Sequence, residues 1–248
     1  MPTAVCRRIA FAALFASAPA TALAQPSLQP PTRIATVRLG TSRDALEGSI
    51  SPDGRSFVFE QADGEQRRLW LLDLPSGTTR LLTPRAGSRH NAAWSSDGRQ
   101  LAYAADLKLP GYADALQGIW VLDLADGRER LVHGTSRYDM VWEVSWTPDG
   151  RIVFVDWAGG QGGTVPVQSV DPRTGAVADV TSDTVRVESP QVSPDGRSLA
   201  FLGTPCVDSN RRGLRVLTLG ARNDSTSRCL TDVAARTGAP LWSPDGRT

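Results

Sequence analysis

Histidine is scarce in this 248-residue chain: His90 and His133 are the only two, and they lie far apart. Two isolated histidines do not make a metal-ligand spacing. A Ser-His-Asp triad would need one of them oriented by an acid and facing a serine. The G-x-S-x-G elbow of hydrolases is absent altogether. An excess of one charge is also missing, since 27 Lys and Arg against 26 Asp and Glu leave a net charge of +1. No basic stripe is available to neutralise phosphates, so nothing supports a nucleic-acid partner. Helical periodicity is lacking throughout. After the first 24 residues no apolar run is long enough to span a bilayer. What remains is a chain rich in turn formers, with 23 Gly and 17 Pro, and with seven Trp. No cofactor and no metal are expected.

The N-terminus reads as a targeting segment. Arg7 and Arg8 form a positive region, Ile9 to Ala20 is mostly apolar, and Ala22-Leu23-Ala24 is a cleavage signal before Gln25. Residues 1–24 are read as a cleaved secretory peptide, 25–31 as a polar, Pro-rich linker, and 32–248 as the folded part. The expected location is periplasmic or secreted. Export places Cys206 and Cys229 in an oxidising compartment once Cys6 is removed. They are either a disulfide or two thiols.

One turn is written five times. Ser51-Pro52-Asp53-Gly54-Arg55 recurs as 95–99, 147–151, 193–197 and 243–247, with spacings of 44, 52, 46 and 50 between the aspartates. A period of this length points to a solenoid or a propeller. Pro presets the second position of a type I turn, Asp tolerates the third and Gly supplies positive φ. Asp53, Gly54, Asp97, Gly98, Asp149, Gly150, Asp195, Gly196, Asp245 and Gly246 are thus read as structural. The leading Ser or Thr hydroxyl is expected to bond a backbone N–H inside the turn. Each turn precedes a short apolar strand, such as Phe57-Val58-Phe59 or Leu199-Ala200-Phe201. A second strand follows, as in Ile119-Trp120-Val121-Leu122-Asp123-Leu124, then a small turn and a closing strand such as Arg80-Leu81-Leu82-Thr83. With the strand before the turn, each unit holds four strands. That is the pattern of a β-propeller blade. The blades are expected at about 47–83, 92–132, 144–181 and 190–231, with a partial blade from about 240.

The Ser-Pro-Asp-Gly-Arg turn, the strand after it and the trailing Arg-Leu-Leu-Thr resemble the WD40-like (PD40) repeat of the TolB family's C-terminal propeller. The resemblance covers essentially the whole mature chain. It implies an all-β propeller of four-stranded blades, here four complete ones of a ring that usually has six. It says little about function, because this propeller serves many roles. It leaves two classes open: a non-catalytic module binding a protein or peptide, or the propeller of a prolyl oligopeptidase-type serine peptidase.

Variable loops on a rigid frame are the usual home of binding. The longest runs from Ala104 to Gly118, and Leu109 and Tyr112 are its candidate contacts. The alternative is that they fold over the second blade. Arg43, Arg89, Arg137, Arg186 and Arg236 fall in expected links between blades. They either ring a channel mouth or make solvated salt bridges. Glu47, Glu143 and Glu188 lie at the same height. The tryptophans at 70, 94, 120, 142, 146 and 242 are expected to pack between blades.

Overall fold

Every complete repeat folds into one four-stranded antiparallel sheet. The computed structural model describes residues 48–108, 115–134, 140–157, 167–181, 186–206, 211–219, 227–232, 240–243 and 245–246. The expected signal peptide and linker lie outside these residues. Blade 1 comprises β1 (Gly48–Ile50), β2 (Ser56–Asp63), β3 (Gln66–Asp73) and β4 (Thr79–Leu81). Blade 2 comprises β5 (Ser88–Trp94), β6 (Gln100–Lys108), β7 (Ala115–Asp123) and β8 (Glu129–Gly134). Blade 3 holds β9 (Met140–Trp146), β10 (Ile152–Trp157), β11 (Val167–Val170) and β12 (Val177–Asp179). Blade 4 holds β13 (Arg186–Val192), β14 (Ser198–Cys206), β15 (Arg211–Thr218) and β16 (Arg228–Asp232). Within each sheet the strands pair in chain order. The architecture is that of an incomplete multi-bladed propeller.

The first strands of blades 2, 3 and 4 begin four residues before the starts expected from the sequence, at 88, 140 and 186. A bulge explains each extension. Pairing shifts register between His90 and Ala93, between Phe154 and Asp156, and between Glu188 and Gln191. The extra residue bends the strand and lets pairing resume beyond it. Arg89, His90, Glu143, Arg186 and Glu188 therefore lie on strands, not in links.

The leading hydroxyl bonds a backbone N–H inside the turn in the third copy, where Thr147 accepts from Arg151 at 2.8 Å, and one residue further on in three others. The Ser51 hydroxyl donates to Asp53 Oδ1 at 2.6 Å and accepts the Ser56 N–H at 2.9 Å, beyond the turn. The Arg55 N–H donates to the same carboxylate oxygen at 3.0 Å. Ser95, Asp97 and Gln100 repeat this pattern, as do Ser193, Asp195 and Ser198. Asp is thus the acceptor that knits the turn. These bonds, the Ser hydroxyl first and the Arg N–H second, hold the carboxyls of Asp53, Asp97 and Asp195 below the ordinary range. The glycines that close the turns have φ between 68° and 83°, a region closed to most side chains.

The turns also stack on one another. A Cβ added at Gly98 would lie 3.7 Å from Pro52 Cδ, at Gly196 3.2 Å from Pro148 Cδ, and at Gly246 3.5 Å from Pro194 Cδ. Each proline ring therefore lies over the glycine of the next repeat. A Cβ added at Gly150 would meet nothing within 4 Å. Its predecessor is Ser96, the one copy without proline.

Both faces of each inner blade are buried, which is why its strands read as unbroken apolar runs. On β6, Leu101, Tyr103, Ala105 and Leu107 pack with Val58 and Leu69 of blade 1. The alternate residues Ala102 and Ala104 pack with Val144, Ile152 and Phe154 of blade 3. On β10, Val153 and Val155 turn to Leu199, Phe201 and Leu217 of blade 4. Each Val, Leu, Ile or Phe among them contributes roughly 1.5–3 kcal/mol on burial. Among the described residues, no apolar cluster joins blade 4 back to blade 1.

Candidate functional site

The innermost strands β1, β5, β9 and β13 converge on a cleft of about 680 Å³. The residue before each turn fixes how they approach. Trp94 Nε1–H donates to the Ser49 carbonyl at 3.1 Å, Trp146 to Ala93 at 3.1 Å, and Trp242 to Gln191 at 2.9 Å. Each indole reaches back to the preceding repeat's first strand. The tryptophans at 94, 146 and 242 therefore tie blades together, as expected, and they do so by hydrogen bonds as well as by packing. Ile50 and Val192 hold the same position in blades 1 and 4 without an indole.

Four residues before the turn stand Asn91, Glu143 and Ser189. Asn91 and Ser189 have φ of 56° and 52°, unusual for residues other than glycine. Each donates its strained N–H to a glutamate of the preceding blade. Asn91 donates to Glu60 Oε1, and Ser189 donates both N–H and hydroxyl to Glu143. Strain of this kind is held only where neighbours over-determine it. Glu60 belongs to β2, and by ladder register the matching residues of the other blades are Ala104, Val155 and Leu202. Its side chain is 2% exposed, and Oε2 accepts no hydrogen bond. Arg67 Nη1 lies 3.6 Å and His90 Nδ1 3.8 Å from that oxygen. Glu60, Asn91, Trp94, Glu143, Trp146, Ser189 and Gln191 all line the cleft, and among the described lining residues the two glutamates are the ionisable ones.

Of the five candidate arginines, the described residues show the side chain of Arg89 alone. Arg89 is fully buried. Its guanidinium donates to Glu129 at 2.8 and 3.0 Å and to the carbonyls of Arg85 and Gly87, both at 2.8 Å. Tyr103 Oη–H donates to Glu129 at 2.7 Å. Burial, with the Glu129 carboxylate beside it, pushes the Tyr103 phenol well above its ordinary range. Arg89 thus locks β5 to β8 within one sheet and cannot meet a ligand. Arg186 begins β13, and its side chain lies outside the described residues, as do Arg43, Arg137, Arg236, Leu109 and Tyr112 entirely. Asp149 accepts from the Thr147 hydroxyl, and Asp245 accepts from Ser243 at 2.6 Å, so both serve their turns. Cys229 on β16 is disulfide-bonded; the side chain of Cys206 lies outside the described residues. His90 and His133 lie on β5 and β8, and the His133 ring rests 5.0 Å from that of Phe154.

Sequence reasoning missed the two glutamates as a pair. The sequence carries little signal for them, because Asp156 stands at the same distance from the third turn aspartate as Glu60 does from the first. Among the described residues, no group of three or more His, Cys, Asp or Glu could hold a metal ion, and no helix is long and apolar enough to cross a membrane.

No family model matches the chain. It is 28% identical over 204 residues to the uncharacterized protein Atu1656 of Agrobacterium fabrum (strain C58 / ATCC 33970), spanning 79% of this chain and 66% of that one. It is 26% identical over 206 residues to the uncharacterized peptidase YuxL of Bacillus subtilis (strain 168), spanning 79% of this chain but 27% of the peptidase. It is 24% identical over 243 residues to the Tol-Pal system protein TolB of Francisella tularensis subsp. holarctica (strain OSU18), again over 79% of this chain and 53% of the relative. Among solved structures, TolB from Acinetobacter baumannii superposes with a TM-score of 0.65 at 21% identity, over 83% of this chain and 48% of that one. A putative TolB from Agrobacterium tumefaciens gives 0.64 at 24% identity, over 85% and 74%. The fold is a β-propeller resembling that of TolB, and the chain spans only part of each curated relative.

Proposed function

We propose that this chain is a non-catalytic, extracytoplasmic binding module that receives a segment of a protein or peptide in the cleft between its inner strands. One observation carries the reading. Four blades, held in place by repeated turns and tryptophan ties, place polar and strained residues around a single cleft of about 680 Å³. Propeller frames of this kind present such concave sites without moving parts. The likeness to TolB propellers supports the reading, and the secretory signal read at residues 1–24 supports the location.

The test is a screen of the purified protein against a displayed library of short peptides. Selected peptides should bind wild-type protein and lose binding to Gln191→Trp, which fills the cleft. They should keep binding to Thr79→Trp on exposed β4. Binding unchanged by Gln191→Trp would overturn the reading.

A second reading has its own support. The match to the peptidase YuxL spans 27% of that protein, so this propeller is also read as a possible substrate-admitting part of a longer peptidase. The longer reading frame decides: a downstream G-x-S-x-G segment with later Asp and His favours the peptidase.

A further inference from the structure

We infer that the cleft selects a partner segment carrying a lysine or arginine side chain, which it receives against Glu143 in the field of Glu60. The inference rests on the binding-module reading and names the chemistry of its occupant.

Two independent observations support it. The first is the sign of the wall. Among the described residues lining the cleft, Glu60 and Glu143 are the ionisable ones, and they come from two different blades. A concave site lined by one sign of charge focuses its field and raises the local concentration of the opposite sign. The second is the state of Glu60. Its carboxylate is 98% buried by the 2% exposure of its side chain, yet Oε2 accepts no hydrogen bond. A buried acceptor without a donor is costly, more so for a charged group. Arg67 and His90 stand 3.6 and 3.8 Å from that oxygen, beyond hydrogen-bond reach. Arg67 is 39% exposed, so solvent screens its attraction. The negative field of Glu60 is therefore only partly answered from within.

The rest of the wall suits the stem of such a side chain. Trp94 and Trp146 line the cleft and are partly exposed. Their indole N–H groups are tied to backbone carbonyls, so the rings are held in fixed orientation. Fixed aromatic rings beside a carboxylate favour a cation through the ring quadrupole. Ile50 and Leu241, also in the wall, are 55% and 84% exposed, and they offer apolar contact to the methylenes of a long basic side chain. The volume falls in the range of about 300–1,000 Å³ typical of pockets for small ligands. It admits a loop or an extended segment, not a folded domain.

The experiment uses the same displayed library and the full mature chain. Peptides that bind in the cleft, defined by loss of binding to Gln191→Trp, are sequenced and resynthesised. Lysine or arginine should be enriched in them over the unselected library. Replacing that residue by glutamine should weaken binding by about tenfold. Glu143→Gln keeps an acceptor for Ser189, so the bulge is retained, and it too should weaken binding by about tenfold. Higher salt should weaken wild-type binding and affect Glu143→Gln less. Circular dichroism and melting of Glu143→Gln should match wild type. Cleft-binding peptides that are neutral or acidic would overturn the charge inference and leave the binding-module reading standing. The absence of any cleft-binding peptide would overturn both.

Discussion

Replacing Ser96 by proline should stabilise the protein. Ser96 occupies the same turn position as Pro52 and Pro194: the Gly98 N–H donates to the Ser95 carbonyl at 2.9 Å, as Gly54 does to Ser51 and Gly196 to Ser193. No hydrogen bond of the turn uses the Ser96 N–H. Proline therefore fits without losing a donor. Two effects then act in the same direction. Restricting the unfolded chain is worth roughly 0.4–1 kcal/mol. The new ring also covers the open space beside Gly150, where an added Cβ would meet nothing within 4 Å and where the other repeats stack proline on glycine. Covering about one methylene adds at most ~0.8 kcal/mol. The sum is about 1 kcal/mol, or a rise in Tm of ~2–4 °C for a domain of this size. Urea and thermal denaturation measure it, with an unchanged m-value as the sign that stability alone has changed. The reverse changes Pro148→Ser and Pro194→Ser should cost a similar amount. A lower Tm for Ser96→Pro, or no loss on Pro148→Ser, would refute the account of the stacked turns.

Arg89→Met should destabilise blade 2 by ~3–5 kcal/mol, because it strands the Glu129 carboxylate in the interior. The double variant Arg89→Met with Glu129→Leu should recover most of that loss in a denaturation cycle, and failure to recover would contradict the ion-pair argument. Trp146→Phe should cost ~1–2 kcal/mol by removing the 3.1 Å bond to the Ala93 carbonyl, measured by urea unfolding. Asp53, Asp97 and Asp195 have folded pKa values below their unfolded value of 3.8. Their contribution is therefore full above that value and is lost as pH falls through it toward the folded pKa. A triple Asp→Asn variant should show a flatter fall of Tm across that acid range than wild type does. Cys229 is predicted to pair with Cys206, closing 24 residues and contributing ~3 kcal/mol in the loop-entropy account. Thiol titration of the denatured, unreduced mature protein should find neither thiol free, and two titratable thiols would rule the bond out.

The frame was legible because its information is local. Ser-Pro-Asp-Gly fixes a turn within five residues, and two-sided apolar runs such as Ile152-Val153-Phe154-Val155 declare a strand buried on both faces. The tryptophans were legible as packing residues, but not as donors to the preceding blade. A bond such as Trp94 to Ser49 spans 45 residues and has no local mark. The inner-strand starts were misplaced for a related reason. A bulge at His90–Ala93 is a property of the strand pair, not of either sequence. Its consequence was that Arg89 read as a link residue when it is a fully buried partner of Glu129, 40 residues away. The cleft was least legible, since Glu60 and Glu143 come to line it only through the placement of separate blades. Counted from the turn aspartate, Glu60 is matched by Ala104, Asp156 and Leu202, so the acid does not stand out in the sequence. Only the ladder register, which sets Val155 in its place in the third blade, shows it to be exceptional.

The central claim is that the inner-strand cleft holds the partner. Hydrogen exchange read by mass spectrometry, with and without a cleft-selected peptide, tests it most directly. The account predicts new protection at residues 91–94, 143–146 and 189–192, on three different blades, with exposed β4 and β12 unchanged. Protection confined to the outer strands, with those three segments unaltered, would contradict it.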